Sequence, residues 1–287
     1  MQHGGAHSIN GKVAAMARNH LPVTRITLTA EQPALDAFAQ DCCAAMFPDL
    51  AVSTMPLEAF TDVLFHQRDP EELMVLAVHA DADGHLPQGS TLPEQLLTSR
   101  VPVLVLRQRE GQSPMPAPFL RVVVPLDGSA VAGQAIPVAS RIASRYNLPV
   151  KFVMVIDPAR VIPPAYAYDP EAWGVIEELR LTAHWALGQA ETTMRESGIE
   201  VSSDLLLGSI NASLMASIQD GDLVVMTTHG TSRNNLRYRD SVARRVLVSI
   251  PQPILIMQAD PQAEVVIDGY QACGWAEPLK ADPVRSA

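Results

Sequence analysis

Aromatic residues make up only 5% of the 287-residue chain, too few to build the stacked platforms on which single-stranded nucleic acids lie. Basic residues are also short, 21 against 31 acidic ones, and the resulting net charge of −10 repels polyanions and argues against a nucleic-acid partner. No apolar run approaches the ~20 residues that a membrane-crossing helix needs, so no membrane partner is expected. The first twenty residues lack the apolar stretch of a secretory leader, which points to a cytoplasmic protein. Three cysteines, two of them adjacent (Cys42, Cys43 and Cys273), make neither a disulfide framework nor a zinc site, and no CxxC, HExxH, Walker or EF-hand spacing occurs. No metal and no catalytic constellation is therefore expected. What remains is a globular composition, 47% hydrophobic, long enough for two cores.

The chain divides at a proline cluster. Residues 111–119 read GQSPMPAPF, which resists helix and central strand alike and reads as a linker between two apolar strands. The expected organisation is a tail over 1–20, a first domain over 21–110, the linker over 111–119, a second domain over 120–260 and a tail over 261–287. Strands in the second domain are read at 121–124, 150–156, 201–207, 223–227 and 254–257, with helices between them. In the 150–156 strand the apolar residues are consecutive, not alternating, as in a strand covered on both faces of a parallel sheet. Asp169-Pro170-Glu171 is a helix start, with a capping side chain, proline in the first turn and an acid at the positive dipole end. Gly198 is read as the end of that helix.

The first half repeats the second in shortened form. LMVLAVHA (73–80) lies over LVVMTTHG (223–230), VPVLVL (101–106) over QPILIM (252–257), and RITLTAEQ (25–32) over RVVVPLDG (121–128). Residues 50–57 lie over 200–207, and nothing in the first half matches 148–198, one strand and one long helix. The expectation is an α/β protein of two doubly wound parallel-sheet domains, the first lacking one βα unit.

Ligands of such sheets bind beyond the carboxyl ends of the strands where the winding reverses, which here is the end of the first strand of the second domain, residues 125–129, facing the end of the 223–227 strand. Arginines 233, 237, 239, 244 and 245 gather near the helix start that follows, an anion site or a solvated basic loop. His79 and His229 fall at equivalent late-strand positions and are read as satisfying local hydrogen bonds. Ser129 is read as a helix cap, since no G-x-S-x-G elbow is present.

VPLDGS before a helix, a late strand ending in TTHG, then DSVARRVL and PILIM resemble the universal stress protein family over 120–257, and more weakly over 25–107. The resemblance implies an adenine-nucleotide alpha-hydrolase-like fold of strand order 3-2-1-4-5, in a tandem form with a degenerate first copy. It also implies a non-enzymatic stress-response or regulatory protein, with a weak ATPase as the alternative. Dimerisation through the last strand is implied too, here as a homodimer or as an internal pseudo-dimer of the two copies. Members that bind ATP carry G-x-x-G, nine residues, then G-S or G-T. The matching positions are Thr227, Gly230, Asp240 and Ser241, so two of three glycines are replaced. The cofactor site implied for ATP or AMP comprises Leu126, Asp127, Val155, Gly230 and Ser241. The first copy has Glu31, Ala77, Ala80 and Gly89-Ser90 at the matching positions and is not expected to bind a nucleotide.

Overall fold

Consecutive apolar residues build strands that are dry on both sides. In the computed structural model, which describes residues 25–30, 34–66, 72–81, 84–86, 92–109, 119–228 and 242–259, β3 (Glu72–Ala80) alternates between two cores. Leu73, Val75 and Ala77 face one core, and Met74, Leu76 and Val78 face the other. β5 (Arg121–Leu126) and β6 (Val150–Ile156) do the same, with Val122, Val124, Phe152 and Met154 on the first face and Val123, Val153 and Val155 on the second. The remaining strands are β1 (Arg25–Ala30), β2 (Ala51–Thr54), β4 (Val103–Arg109), β7 (Val201–Leu207), β8 (Asp222–Thr228) and β9 (Ile254–Gln258).

These strands form one sheet of nine in the order β2-β1-β3-β4-β9-β8-β5-β6-β7. The rear half, taken alone, winds 3-2-1-4-5, the order that the resemblance implied. The front half has four strands, and β1 pairs directly with β2 where β5 has β6 between itself and β7. The difference from two separate sheets lies at the seam. β4 and β9 pair antiparallel, with Val103, Leu104 and Val105 opposite Ile256, Leu255 and Ile254, while every other ladder is parallel. Each half would otherwise end in an apolar strand with an open edge, and joining them satisfies both rows of backbone groups. Leu104 and Leu255, matched in the sequence alignment, meet as direct partners, so the seam has the form of a local two-fold.

Helices cover both faces. They are α1 (Ala34–Met46), α2 (Leu57–His66), α3 (Leu92–Leu97), α4 (Ala130–Gly133), α5 (Ala135–Tyr146), α6 (Pro158–Val161), α7 (Pro170–Glu196), α8 (Ile210–Ser217) and α9 (Val242–Ser249). Between β5 and β6, where one helix is expected after the Ser129 cap, there are two. Pro137 offers no N–H and its ring crowds the carbonyl four residues earlier, so the chain breaks between Gly133 and Ala135. Asn147 then closes α5 in the left-handed conformation (φ 52°, ψ 48°), which asparagine tolerates better than most residues. The Asp169 carboxylate accepts the Glu171 N–H at 2.9 Å to start α7, and Gly198 follows its end at φ 76°. The strand read over 50–57 is shorter than expected, because Leu57 already begins α2.

The two halves share a feature at the strand starts. Arg121 clamps Asp222 with two bonds, Nε to Oδ1 at 2.9 Å and Nη2 to Oδ2 at 2.6 Å, and these residues are direct partners between β5 and β8. In the front half Arg25 stands opposite Glu72 at the same place between β1 and β3.

Cys42 and Cys43 lie buried in α1. Burial foremost, and then Cys42, push the Cys43 thiol up to about 12. A raised thiol leaves stability intact below about pH 9 and removes it as pH rises toward 12, since only the unfolded chain then ionises freely. The urea midpoint is expected to fall over that window, less steeply in Cys43→Ala. Iodoacetamide at pH 8 should label neither thiol until urea is added, as read by mass spectrometry.

Candidate functional site

The ladder between β5 and β8 is incomplete. Partners run Arg121 to Asp222, Val122 to Leu223 and Val123 to Val224, then stop. β5 remains paired to β6 as far as Leu126 and Met154, and β8 to β9 as far as Thr228 and Gln258. The carboxyl halves of β5 and β8 therefore part from each other while each holds its outer neighbour, which opens a crevice where the winding reverses. In the front half β1 and β3 stay paired along the whole of β1, from Arg25–Glu72 to Ala30–Ala77. No such crevice opens there.

Gly128 turns the chain out of β5 at φ 77°. Asp127, exposed beside it, accepts the Ser129 N–H through Oδ1 at 2.9 Å, a turn that fixes its carboxylate at the crevice mouth. Ser129 caps α4, its Oγ accepting the Ala132 N–H at 3.1 Å, as the sequence suggested. The Thr227 hydroxyl donates to the Val131 carbonyl, tying the end of β8 to α4 across the gap. Thr227 is ordinary strand, with no left-handed strain; among described non-glycine residues only Asn147 has a positive φ.

Of the five expected site residues three, Leu126, Asp127 and Val155, lie among the described residues. Asp127 directly follows β5, and Val155 lies in the second core with Val123, Val153 and Met226. Leu126 sends its side chain to the opposite face with Val122 and Val124, so only its backbone borders the crevice. Gly230, Ser241 and Asp240 lie outside the described residues, as do the linker over 111–118, the tails, Cys273 and His229.

Sequence reading missed the residues that brace this end from the front half. Arg107, 5% exposed at the end of β4, donates Nη1 to the Gln252 carbonyl at 2.9 Å and Nη2 to the Leu247 carbonyl in the last turn of α9. Burial first, and then Arg109, pull its guanidinium down to about 9, so it is still charged at neutral pH and faces the negative end of the α9 dipole. The Thr228 hydroxyl donates to the Leu97 carbonyl of α3 at 3.2 Å. An arginine closing the apolar run VPVLVLR was the available signal.

A separate groove of about 380 Å³ opens beside β6, β7 and α8, away from the crevice. Lys151 and Asp204 line it and neutralise one another at 2.6 Å, which leaves no charge for an ionic ligand. Among the described residues no cluster of His, Cys, Asp and Glu could hold a metal, and no helix is long and apolar enough to cross a membrane.

Residues 118–258 match the family model of the universal stress protein family. A universal stress protein of Methanocaldococcus jannaschii is 27% identical over 144 residues, 49% of this chain and 82% of that protein. A solved protein from Pseudomonas aeruginosa UCBPP-PA14, described as a universal stress protein, shares the fold over 86% of this chain and 95% of its own, at 14% identity and a TM-score of 0.50. A universal stress protein solved in complex with cAMP covers 50% of this chain and 100% of its own, at 20% identity and a TM-score of 0.36. Residues 118–258, just under half of the chain, thus carry the pattern of the universal stress protein family.

Proposed function

We propose that the chain is a tandem universal stress protein, non-enzymatic and regulatory in the stress response, whose rear copy holds an adenine nucleotide, ATP or AMP, and whose front copy has kept the sheet but lost the site. The observation that carries this reading is the crevice between β5 and β8, which stay paired for only three residues, against β1, which is paired to β3 along its whole length. Asp127 at its mouth accepts the ribose hydroxyls, and Val155 packs against the base. Gly230 and Ser241 supply the phosphate end.

The front copy then acts as the built-in partner of the rear one through β4 and β9, which supports the internal pseudo-dimer. The tail, linker and domain limits read from the sequence belong to the same proposal, as does a cytoplasmic location. A carboxylate ~4 Å from a phosphate is repelled by about 4 kcal/mol at an effective dielectric near 20. Asp240 therefore has to turn away from the phosphates, which is compatible with capping the following helix.

Titration calorimetry with ATP and AMP at millimolar ligand is expected to show one site per chain. Asp127→Ala should weaken it about tenfold, the loss of roughly 1.4 kcal/mol of hydrogen bonding. Absence of both heat and thermal stabilisation with both nucleotides removes the nucleotide reading. ATP hydrolysis that disappears in the Asp127→Ala, Ser241→Ala double variant would favour the ATPase alternative; hydrolysis that survives it comes from a contaminant.

A further inference from the structure

The core-facing stripe of α7 is conventional, with Ile176, Ala183, Ala186, Leu187, Ala190 and Met194 buried against the sheet. Its opposite face is not. Glu178, Leu181, Trp185, Gly188, Thr192 and Arg195 recur at intervals of three and four, so they form one straight line along about 26 Å of helix. All six are exposed, Leu181 at 72% and Trp185 at 46%. An outward leucine and tryptophan one turn apart, flanked by the polar or small residues Glu178, Gly188, Thr192 and Arg195, are unusual on a helix face.

The two halves of this line are opposites. One carries the bulky pair Leu181 and Trp185 and ends in the acid Glu178. The other carries the small pair Gly188 and Thr192 and ends in the base Arg195. A Cβ added to Gly188 would meet nothing within 4 Å, so no contact inside the chain requires glycine there, although glycine is disfavoured against alanine within a helix. The Thr192 hydroxyl donates to the Gly188 carbonyl at 2.8 Å, which leaves its methyl as the outward group. Glu178 has no ion-pair partner among the described residues, whereas Arg180 and Arg195 are paired with Glu177 and Glu191.

We propose that this face is a docking surface for a second copy of the chain, the two α7 helices lying antiparallel about a two-fold axis between Ala186 and Leu187. In that arrangement Trp185 seats on the partner's Gly188, Leu181 packs over the partner's Thr192, and Glu178 meets the partner's Arg195; each contact occurs twice. Bulk meets void and acid meets base along the whole line, a match that only the same surface inverted supplies. The inner edges of β4 and β9 are already consumed by each other, so contact between copies has to use another surface. α7 packs on β6 and β7, at the end of the sheet away from that seam. The proposal does not depend on nucleotide binding.

Sedimentation velocity of the full chain across micromolar to near-millimolar concentrations is expected to show a reversible monomer–dimer equilibrium. Glu178→Arg should weaken it about tenfold or more, because the lost attraction is counted twice. Adding Arg195→Glu to that variant should restore it to within about threefold, since the charges are then exchanged. Trp185→Ser should abolish the dimer. Gly188→Leu should abolish it too without lowering the thermal midpoint of the monomer, because the slot is filled from within. A chain that stays monomeric throughout overturns the proposal, as does a dimer indifferent to Trp185→Ser or a charge reversal that its reciprocal fails to rescue.

Discussion

Leu104→Asp is expected to unfold the protein or leave it insoluble. Leu104 is 1% exposed and stands opposite Leu255, 4% exposed, where β4 and β9 join the two halves. Loss of a buried leucine alone costs about 2–5 kcal/mol, and a carboxylate in the same dry space adds several more. Together they rival the roughly 5–15 kcal/mol that holds a typical domain folded. Both residues also belong to the core that runs through the two halves, so the damage does not stay local. Leu207→Asp at the outer edge, 52% exposed, is the matched control and should cost under about 0.5 kcal/mol. A urea midpoint for Leu104→Asp close to that of the control would mean that the halves are not joined through this ladder.

The second large effect is expected at Arg107. Two charge-assisted hydrogen bonds to the Leu247 and Gln252 carbonyls contribute about 1.5–3 kcal/mol each, offset in part by the cost of burying a guanidinium whose Nε has no partner. Arg107→Ala deletes both bonds, empties the space and leaves two carbonyls short of a donor. A net loss of about 3 kcal/mol in urea unfolding is expected. Arg107→Lys, with its ammonium at the end of a flexible stem, should recover at most about half of it. Alanine and lysine variants of equal stability would show that packing of the stem, not the forked donor pair, is what Arg107 contributes.

Both effects arise where the two halves touch, which is where the sequence was least informative. The strands themselves were legible because consecutive apolar residues have no other comfortable environment than a sheet covered on both faces. Helix limits were legible wherever capping chemistry was local, as at Asp169-Pro170 and Gly198. The break at Gly133–Ala135 is masked in the sequence by an apolar period that runs on past Pro137 and so has the pattern of one helix. Of the expected site, Asp127 came from the resemblance, and in the structure it directly follows β5 and accepts the Ser129 N–H. Leu126 came from the resemblance too, yet strand alternation turns its side chain to the other face.

Thr227, which stands where the family motif has its first glycine, carries no left-handed strain. It remains in β8 and uses its hydroxyl to reach the Val131 carbonyl. A glycine-to-threonine exchange is harmful only where the backbone must be left-handed, and that is a property of the turn, which a one-dimensional motif does not specify.

Composition, apolar runs and caps by themselves determined a parallel α/β sheet built in two portions, because each of those signals acts between residues close along the chain. Only the tertiary structure decided that the portions share one sheet, that β5 and β8 part while β1 and β3 stay closed, and that Arg107 reaches from one half into the other. Those outcomes depend on which strand edges find each other and on where a ladder stops. Backbone hydrogen bonds between strands more than a hundred residues apart set both, and they carry no side-chain signature.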